Sequence, residues 1–259
     1  MEALLPNPTT MKVTAIKTEK VLPQSTTLLD FLDRNLKKFP ENAILAVSAK
    51  IISLCEGRCV PFTADKEKLI QEETDYYLPK KFRRSGATGT ITHHAFIGAA
   101  GIDESNADGY HVLLPENCAK TADQIYKYLK RRFGVKNCGV VITDSHSTPL
   151  RRGASGISLA YRGFIGLKDY RGKKDLFGRK LVLKQANVAD ALASAAVLVM
   201  GEGAEQTPIV IIENTSTVSF QKNAPTKKEL SEFYVDLKDD TFAPIFNLNR
   251  LKKGKKKDR

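Results

Sequence analysis

The sequence predicts an α+β protein built around one large domain. The chain has 259 residues, of which 42% are apolar, which is enough for a substantial core. Apolar runs typical of buried strands are interspersed with amphipathic stretches typical of helices. The two kinds of segment do not follow the regular strand–helix–strand rhythm of a doubly wound sheet, so α+β is favoured over α/β.

The elements follow from these patterns in chain order. Alternation over residues 12–17 predicts a strand, and apolar residues at helical spacing after Thr27 predict a helix that Pro40 ends. The remaining predictions are a strand entering a turn at 43–53, a helix at 65–75, a strand at 90–98, a helix at 118–133 with Gly134 as its C-cap, a strand at 138–143, an extended segment at 156–167, a helix at 187–200 and a strand at 208–213.

Charge is unevenly distributed along the chain. The net charge is +12, and the segment RLKKGKKKDR at 250–259 carries half of it. We expect residues 1–11 to be a flexible N-terminal extension, 12–249 to be the folded domain and 250–259 to be a flexible basic tail. The positive charge of the body suits an anionic substrate. Nucleic-acid binding through the tail is a less favoured alternative.

Several classes of protein are disfavoured. No apolar run reaches the ~18–20 residues of a membrane helix, and the first residues lack the charged and apolar regions of a secretory signal. Cys55, Cys59, Cys118 and Cys138 do not form the two close pairs of a zinc site, so we interpret them as free thiols of a cytoplasmic protein.

The common nucleotide and nucleophile motifs are absent. GEGAEQ at 201–206 has Gln206 where a dinucleotide loop needs its third glycine. Lys174 stands where a phosphate loop needs serine or threonine, and RGASGIS lacks the glycine spacing that a nucleophile elbow places around a residue such as Ser155.

Acidic residues beside glycine occupy three separate predicted turns. Asp103 lies in GIDESN, Asp144 follows the strand at 138–143, and Glu202 and Glu205 lie in GEGAE. Mg²⁺ and Mn²⁺ prefer oxygen ligands, often one or two carboxylates together with substrate phosphates. Each acid is also a common turn residue, so the spacing alone leaves a structural role open.

Five stretches, taken in order, resemble the F420-0:γ-glutamyl ligase family, whose members add L-glutamate in γ-linkage to coenzyme F420-0. They are SAKIISLCEGR, AGIDESNADGYHVLLPEN, GVVITDSHSTPLRRGASG, GLKDYRGKKDLFGRKL and VADALASAAVLVMGEGAEQTP, which lie between residues 48 and 208, and the resemblance extends over most of residues 12–212. The resemblance implies a GTP-dependent ligase that works through an acyl phosphate. It also implies a two-lobed α+β fold, an intertwined homodimer, two Mg²⁺ or Mn²⁺ ions per site and often K⁺.

The resemblance also implies the site residues. Asp103 and Asp144 match metal-binding aspartates. From the charge that such a reaction must manage, we expect Asp144 and Arg152 to be the catalytic residues, with Arg152 or its neighbour Arg151 binding an anionic substrate group. The other implied residues are Ser145, Glu202 and Glu205 at the metals and Leu22, Pro23, Lys50, Asn106, Gly201 and Gly203 at the nucleotide.

Three departures from the family pattern leave the substrates open. Leu54 replaces the usual lysine, although Lys50 stands four residues earlier, and Ala99 replaces the usual asparagine. Residues 146–149 replace an N-G-R-like turn, which slightly favours a folate over F420-0 as acceptor. The choice between GTP and ATP also stays open. A non-catalytic nucleotide- or anion-binding protein that keeps the fold is the alternative hypothesis.

Overall fold

The central feature of the structure, a computed structural model that describes residues 10–84, 86–245 and 248–256, is a five-stranded mixed sheet. The strands are β1 (Lys12–Ile16), β2 (Ala43–Ser48), β3 (Cys59–Pro61), β4 (Tyr76–Tyr77), β5 (Gly89–Thr92), β6 (Ala95–Gly98), β7 (Tyr110–Val112), β8 (Cys138–His146), β9 (Ser155–Arg162), β10 (Leu167–Asp169), β11 (Gln185–Asn187), β12 (Ile209–Glu213) and β13 (Lys252–Lys253). The helices are α1 (Leu28–Asn35), α2 (Ala49–Glu56), α3 (Lys66–Glu73), α4 (Cys118–Phe133), α5 (Val188–Met200) and α6 (Lys227–Phe233).

The main sheet has the order β1-β12-β2-β8-β9. Strands β2 and β8 are parallel, with Ser48 opposite Thr143, and the other pairs in this sheet are antiparallel. The carboxyl ends of β2 and β8 therefore lie side by side at one edge of the sheet, which is where parallel strands commonly present functional residues.

Helices cover both faces of this sheet. On one face α1, α2 and α4 bury side chains that include Phe31, Ile52 and Ile125, all fully inaccessible to solvent. On the other face α5 packs through small residues, because a side chain at Gly156 of β9 would lie 2.3 Å from the carbonyl oxygen of Ala193. This close approach explains why α5 is rich in alanine.

A second, four-stranded sheet has the order β13-β4-β5-β6. We predicted one strand at 90–98, which is wrong, because β5 and β6 form a hairpin. His93 and His94 make its turn with positive φ angles of 51° and 55°. After β6 the chain passes through a short 3₁₀ turn at Ala99–Gly101 and reaches Asp103.

Most other predicted elements are confirmed, as is the α+β class. Helix α4 ends at Gly134, whose φ of 69° is the left-handed C-cap that the sequence predicted. The prediction for 43–53 needs correction, because the strand stops at Ser48 and α2 begins at Ala49. The four cysteines are unpaired, as expected. Within the described residues, no helix has the length and apolar character needed to cross a membrane.

The segment at 250–259 was expected to be a flexible tail, and its described part packs on the small sheet. Strand β13 pairs with β4, and the backbone N–H of Gly254 donates to the carbonyl of Asp75 at 2.7 Å. Lys256 Nζ donates to Thr92 Oγ1 at 2.7 Å. Residues 257–259 and most of the N-terminal extension at 1–11 lie outside the described residues.

Candidate active site

The parallel strands β2 and β8 bring a lysine and an aspartate to the same edge of the main sheet. Asp144 comes one residue after Thr143, which is paired with Ser48. Ser48 is the N-cap of α2, so Lys50 lies in the first turn of that helix. Both side chains line the cleft that forms at this edge.

Asp103 lies on the loop that leaves the small sheet. One of its carboxylate oxygens accepts a hydrogen bond from the backbone N–H of Ser105 at 2.7 Å, and the other accepts one from Ser105 Oγ at 3.1 Å. Lys50 Nζ forms an ion pair with Asp103 and donates to the carbonyl of Ser105 at 3.1 Å. These contacts join the start of α2 to the Asp103 loop.

A third loop follows α5, which ends at Gly201 with φ 77°. The Glu205 carboxylate turns back and accepts a hydrogen bond from the backbone N–H of Gly203 at 2.8 Å. Gly201 has a φ of 77° and a ψ of 168°, a backbone conformation that essentially only glycine adopts. Asn106 Nδ2 donates to the carbonyl of Gly203 at 2.9 Å, which ties this loop to the Asp103 loop.

The N-terminal loop closes the remaining side of the cleft. Ser25 Oγ donates to the carbonyl of Leu22 at 2.9 Å, and the backbone N–H of Gln24 donates to the carbonyl of Leu54 at 2.8 Å. Leu22 and Pro23 are thereby held against the end of α2.

These five segments enclose a cleft of about 460 Å³. It brings together every site residue predicted from the sequence except Arg152. The gathered residues are Leu22, Pro23, Lys50, Asp103, Asn106, Asp144, Ser145, Gly201, Glu202, Gly203 and Glu205.

Electrostatics distinguish the two aspartates. Burial raises the pKa of Asp144 to about 7, and the charges of Asp103 and Glu202 add to the rise, while the backbone N–H of Ser145 and the charge of Lys50 oppose it. Burial also pushes the pKa of Asp103 upward. Hydrogen bonds from Lys50 and Ser105 outweigh that effect, so the pKa of Asp103 is lowered.

The donor set fits a hard divalent cation in chemical type. Asp144 is a half-buried carboxylate whose ionisation is opposed by Asp103 and Glu202, and a cation between these acids would relieve the repulsion. Within the described residues no three acidic, histidine or cysteine side chains are already gathered closely enough to hold a metal by themselves. Phosphate oxygens of a substrate are the natural source of the missing ligands.

Arg152 lies apart from the other predicted residues. It is exposed on the loop between β8 and β9 and does not line the cleft. Sequence reasoning also missed five hydroxyl residues of the cleft, which are Thr18, Ser48, Ser105, Thr143 and Thr207. Ser48 had a recognisable signal, because it ends an apolar strand in the same way as the stretch before Asp144.

The fold and the cleft define a mixed α+β protein with a cleft lined by acidic residues at the carboxyl ends of two parallel strands. The chain belongs to the F420-0:Gamma-glutamyl ligase family, whose profile matches residues 11–214. This confirms the family predicted from the sequence.

Individual relatives agree with this assignment. A protein of Methanococcus maripaludis named coenzyme F420:L-glutamate ligase is 44% identical over 142 residues, which span 54% of this chain and 56% of that protein. Proteins with the same name from Methanocaldococcus jannaschii and Halorubrum lacusprofundi are 34% and 31% identical over 193 and 201 residues, spanning 67% of this chain and 76% of each relative. The first match thus spans little more than half of the relative's length.

Proposed function

We propose that the protein is a γ-glutamyl ligase that uses GTP to join L-glutamate to the terminal carboxylate of F420-0. The observation that carries this proposal is the convergence of eleven predicted residues, from five separate segments, on one cleft. The names of the relatives support F420-0 over a folate as acceptor.

A carboxylate and an amine do not condense in water without activation. In the proposed reaction the acceptor carboxylate attacks the γ-phosphorus of GTP, which forms an acyl phosphate and releases GDP. The amine of glutamate then attacks the acyl carbon, loses a proton and expels inorganic phosphate. Positioning and charge stabilisation account for most of the catalysis of such a transfer.

The protein's own groups suit these tasks. Asp103 and Asp144 would hold Mg²⁺ or Mn²⁺, with Ser145, Glu202 and Glu205 as further oxygen donors, and K⁺ would use the same kind of ligand. Bound divalent cations would neutralise charge on the phosphates during transfer. Lys50 places an ammonium group beside the acids, and Asn106 holds the glycine-rich loop at 201–206 against the Asp103 loop.

We also propose that the active form is a homodimer. The arm between β10 and β11 exposes four large apolar side chains to solvent, among them Leu176 at 99% and Phe177 at 95% exposure, together with Val182 and Leu183. Isolated proteins rarely expose such a group, and a second copy would cover it. Light scattering of the purified protein should give twice the mass of one chain. Leu176→Ser combined with Phe177→Ser should give a monomer, and a monomeric wild type would contradict this part of the proposal.

The reaction itself is tested by measuring phosphate release from GTP and, separately, ATP with Mg²⁺ or Mn²⁺ and L-glutamate. F420-0 and tetrahydrofolate are offered as separate acceptors, and mass spectrometry follows each one. We expect F420-0 to gain the mass of one glutamyl residue or more with GTP. A gain on tetrahydrofolate alone would reassign the acceptor, and no gain on either would contradict the ligase proposal.

One contact favours the competing hypothesis of a non-catalytic nucleotide- or anion-binding protein. Lys50 already pairs with Asp103, so that this aspartate carries a protein counter-charge before any cation arrives. Tight GTP binding without turnover in the assay above would support this second hypothesis.

A further inference from the structure

The small sheet has a strongly basic edge that the proposed chemistry at the cleft does not use. Two basic segments, at 80–84 and 250–256, lie far apart in the sequence and meet there because β13 pairs with β4. The exposed cations of this basic edge are Lys80, Lys81, Arg84, Arg250, Lys252, Lys253 and Lys255.

Nearby acids leave this charge largely uncompensated. Glu67 and Glu73, two carboxylates of the adjoining helix α3, are already paired with Arg83 and Arg58 at 2.6 Å. Within the described residues none of the seven cations of the basic edge forms an ion pair with a carboxylate. Such a concentration of like charge is unfavourable unless an anion neutralises it.

The basic edge is held in place by its backbone. Besides the β13–β4 pairing, Gly254 and Lys255 donate backbone hydrogen bonds to Asp75 and Gln71, each at 2.7 Å. The guanidinium of Arg250 lies 5.3 Å from the centre of the Phe82 ring. The cations are thus presented on a pre-organised frame, which reduces the entropy lost when a ligand binds.

The same sheet leads into the cleft. Three strand spacings of about 4.8 Å separate β13 from β6, or roughly 14 Å. Strand β6 continues through Ala99–Gly101 to Asp103. A ligand that extends out of the cleft across this sheet would reach the basic edge after a short span.

We propose that the basic edge binds the carboxylates of an acceptor that already carries γ-linked glutamates, and so promotes further additions. This inference rests on the proposed function. Each γ-linked glutamate keeps its α-carboxylate, because only its amine and side-chain carboxylate enter the linkages. The growing acceptor is therefore a flexible polyanion with one negative charge for each residue added.

A carboxylate chain fits the basic edge better than a single-stranded nucleic acid does. Nucleic-acid surfaces combine basic groups with aromatic rings on which bases stack. The ring of Phe82 is already engaged by two cations, with Lys81 Nζ at 4.9 Å from its centre and Arg250 as described. Carboxylates need only the cations.

The test compares two double variants with the same change of charge. Lys252→Gln with Lys253→Gln removes two cations of the basic edge and keeps the backbone pairing. Lys37→Gln with Lys38→Gln removes two exposed lysines that follow α1. Kinetics are measured with acceptors that carry zero, one and two γ-glutamates, and mass spectrometry gives the product lengths.

For the basic-edge variant we expect the KM of the diglutamyl acceptor to rise about three- to tenfold, as loss of two exposed charge contacts would cause. Its products should be shorter, while the KM of GTP and the KM of the unglutamylated acceptor should stay within twofold. The control should match the wild type. A diglutamyl-acceptor KM within twofold of wild type in the basic-edge variant would overturn the inference.

A binding measurement separates this inference from the proposed function. Anisotropy of a fluorescein-labelled tetra-γ-glutamate should report binding to the wild type that weakens in the basic-edge variant and with added salt. If no acceptor is glutamylated but the peptide still binds in this way, only the proposed function fails. Absence of peptide binding, or tighter binding of a 20-nucleotide single-stranded RNA at the same salt concentration, would overturn the inference.

Discussion

The side-chain amide of Asn106 donates a hydrogen bond of 2.9 Å to the backbone carbonyl of Gly203, across 97 positions of sequence. This bond joins the loop that carries Asp103 to the loop that carries Glu202. Two of the acidic loops of the cleft are therefore fixed relative to each other by one exposed contact. Asn106 has a φ of 50°, a backbone conformation that asparagine tolerates better than most residues.

Replacing Asn106 with aspartate should weaken nucleotide binding. The change keeps a residue that tolerates the left-handed backbone but puts a carboxylate oxygen against the Gly203 carbonyl. We expect the Kd of GTP, measured by calorimetry, to rise about five- to tenfold. This increase corresponds to the loss of one hydrogen bond. Asn214 offers a matched control, because it has a φ of 59° and donates to the Thr10 carbonyl away from the cleft. A GTP Kd in Asn106→Asp equal to that of Asn214→Asp would contradict the prediction.

Asp144→Asn should abolish metal-dependent turnover and stabilise the metal-free protein at pH 8. The pKa of Asp144 is raised by burial to about 7, so ionisation is less favourable in the folded state than in the unfolded chain. The resulting loss of stability is absent below about pH 4, grows as the pH rises and is complete above about pH 7. Removing the charge should raise the free energy of unfolding at pH 8 by roughly 1–4 kcal/mol.

Thermal unfolding at pH 8 checks this prediction. It is measured with and without about 5 mM Mg²⁺, which is roughly the concentration that such sites require. Wild type should gain stability from the metal, and Asp144→Asn should gain none. The exposed acid Asp236 provides the control, since Asp236→Asn should behave like wild type. An Asp144→Asn variant that is less stable than wild type without metal would refute the assignment of Asp144 as an unfavourably buried charge.

The affinity of the cleft for Mg²⁺ should decrease as the pH falls below about 7. Below about pH 7 the Asp144 carboxyl carries a proton that the cation must displace. The apparent Kd for Mg²⁺ should therefore rise about tenfold for each pH unit below 7 and level off above it. Calorimetric titration at pH 6, 7 and 8 measures this dependence, and a Kd that is the same at all three values would rule it out.

An ammonium group at position 54 should partly replace the one that Lys50 provides. They are four residues apart on α2 and both line the cleft. Lys50→Met should lower kcat/KM for GTP about 10- to 100-fold, the effect of one lost charge-assisted hydrogen bond. Adding Leu54→Lys should recover part of that loss, because it restores an ammonium group one helical turn away. No loss in Lys50→Met would show that the cleft does not need this charge.

Gly254→Ala should release the C-terminal segment from the small sheet. A methyl group there would lie 1.8 Å from the backbone oxygen of Thr74, which cannot move out of the way as a side chain can. We expect trypsin to cleave after Lys252 or Lys253 at least about tenfold faster, because this local opening becomes more populated. Gly89→Ala is the control, since a methyl group meets no atom within 4 Å there. Equal cleavage rates in the two variants would argue against the packing of β13.

Sequence reasoning selected residues that the fold brings to one cleft, but it misassigned some secondary-structure elements. Carboxylates in predicted turns drew attention to Asp103, Asp144 and the 201–206 loop, but the family resemblance rather than the spacing gave them a role at the site. Helix α2 was missed because AILAVSAKIIS is apolar almost throughout, and such a run has no period that separates strand from helix. The turn between β5 and β6 was missed because two histidines occupy positive φ angles that glycine or asparagine would normally signal.

Other features depended on tertiary contacts that no local pattern reports. The basic segment at 250–259 has the composition of a solvated tail, but β4 offers it an open strand edge. The ion pair between Lys50 and Asp103 joins residues 53 positions apart and arises only when α2 meets the loop after the small sheet. Arg152 was selected from its neighbours in sequence, and the loop that carries it turns away from the cleft.

The position of β12 in the main sheet has a consequence for synthesis on the ribosome. Strand β12 lies between β1 and β2, although it follows them by more than 150 residues. Until Ile209–Glu213 has emerged, β1 and β2 each lack the neighbour that satisfies their backbone groups. Until then the nascent chain exposes two unpaired strand edges. Unpaired edges promote aggregation with other chains. We expect this protein to complete its main sheet only after Glu213 has left the ribosome and to benefit from chaperones until then.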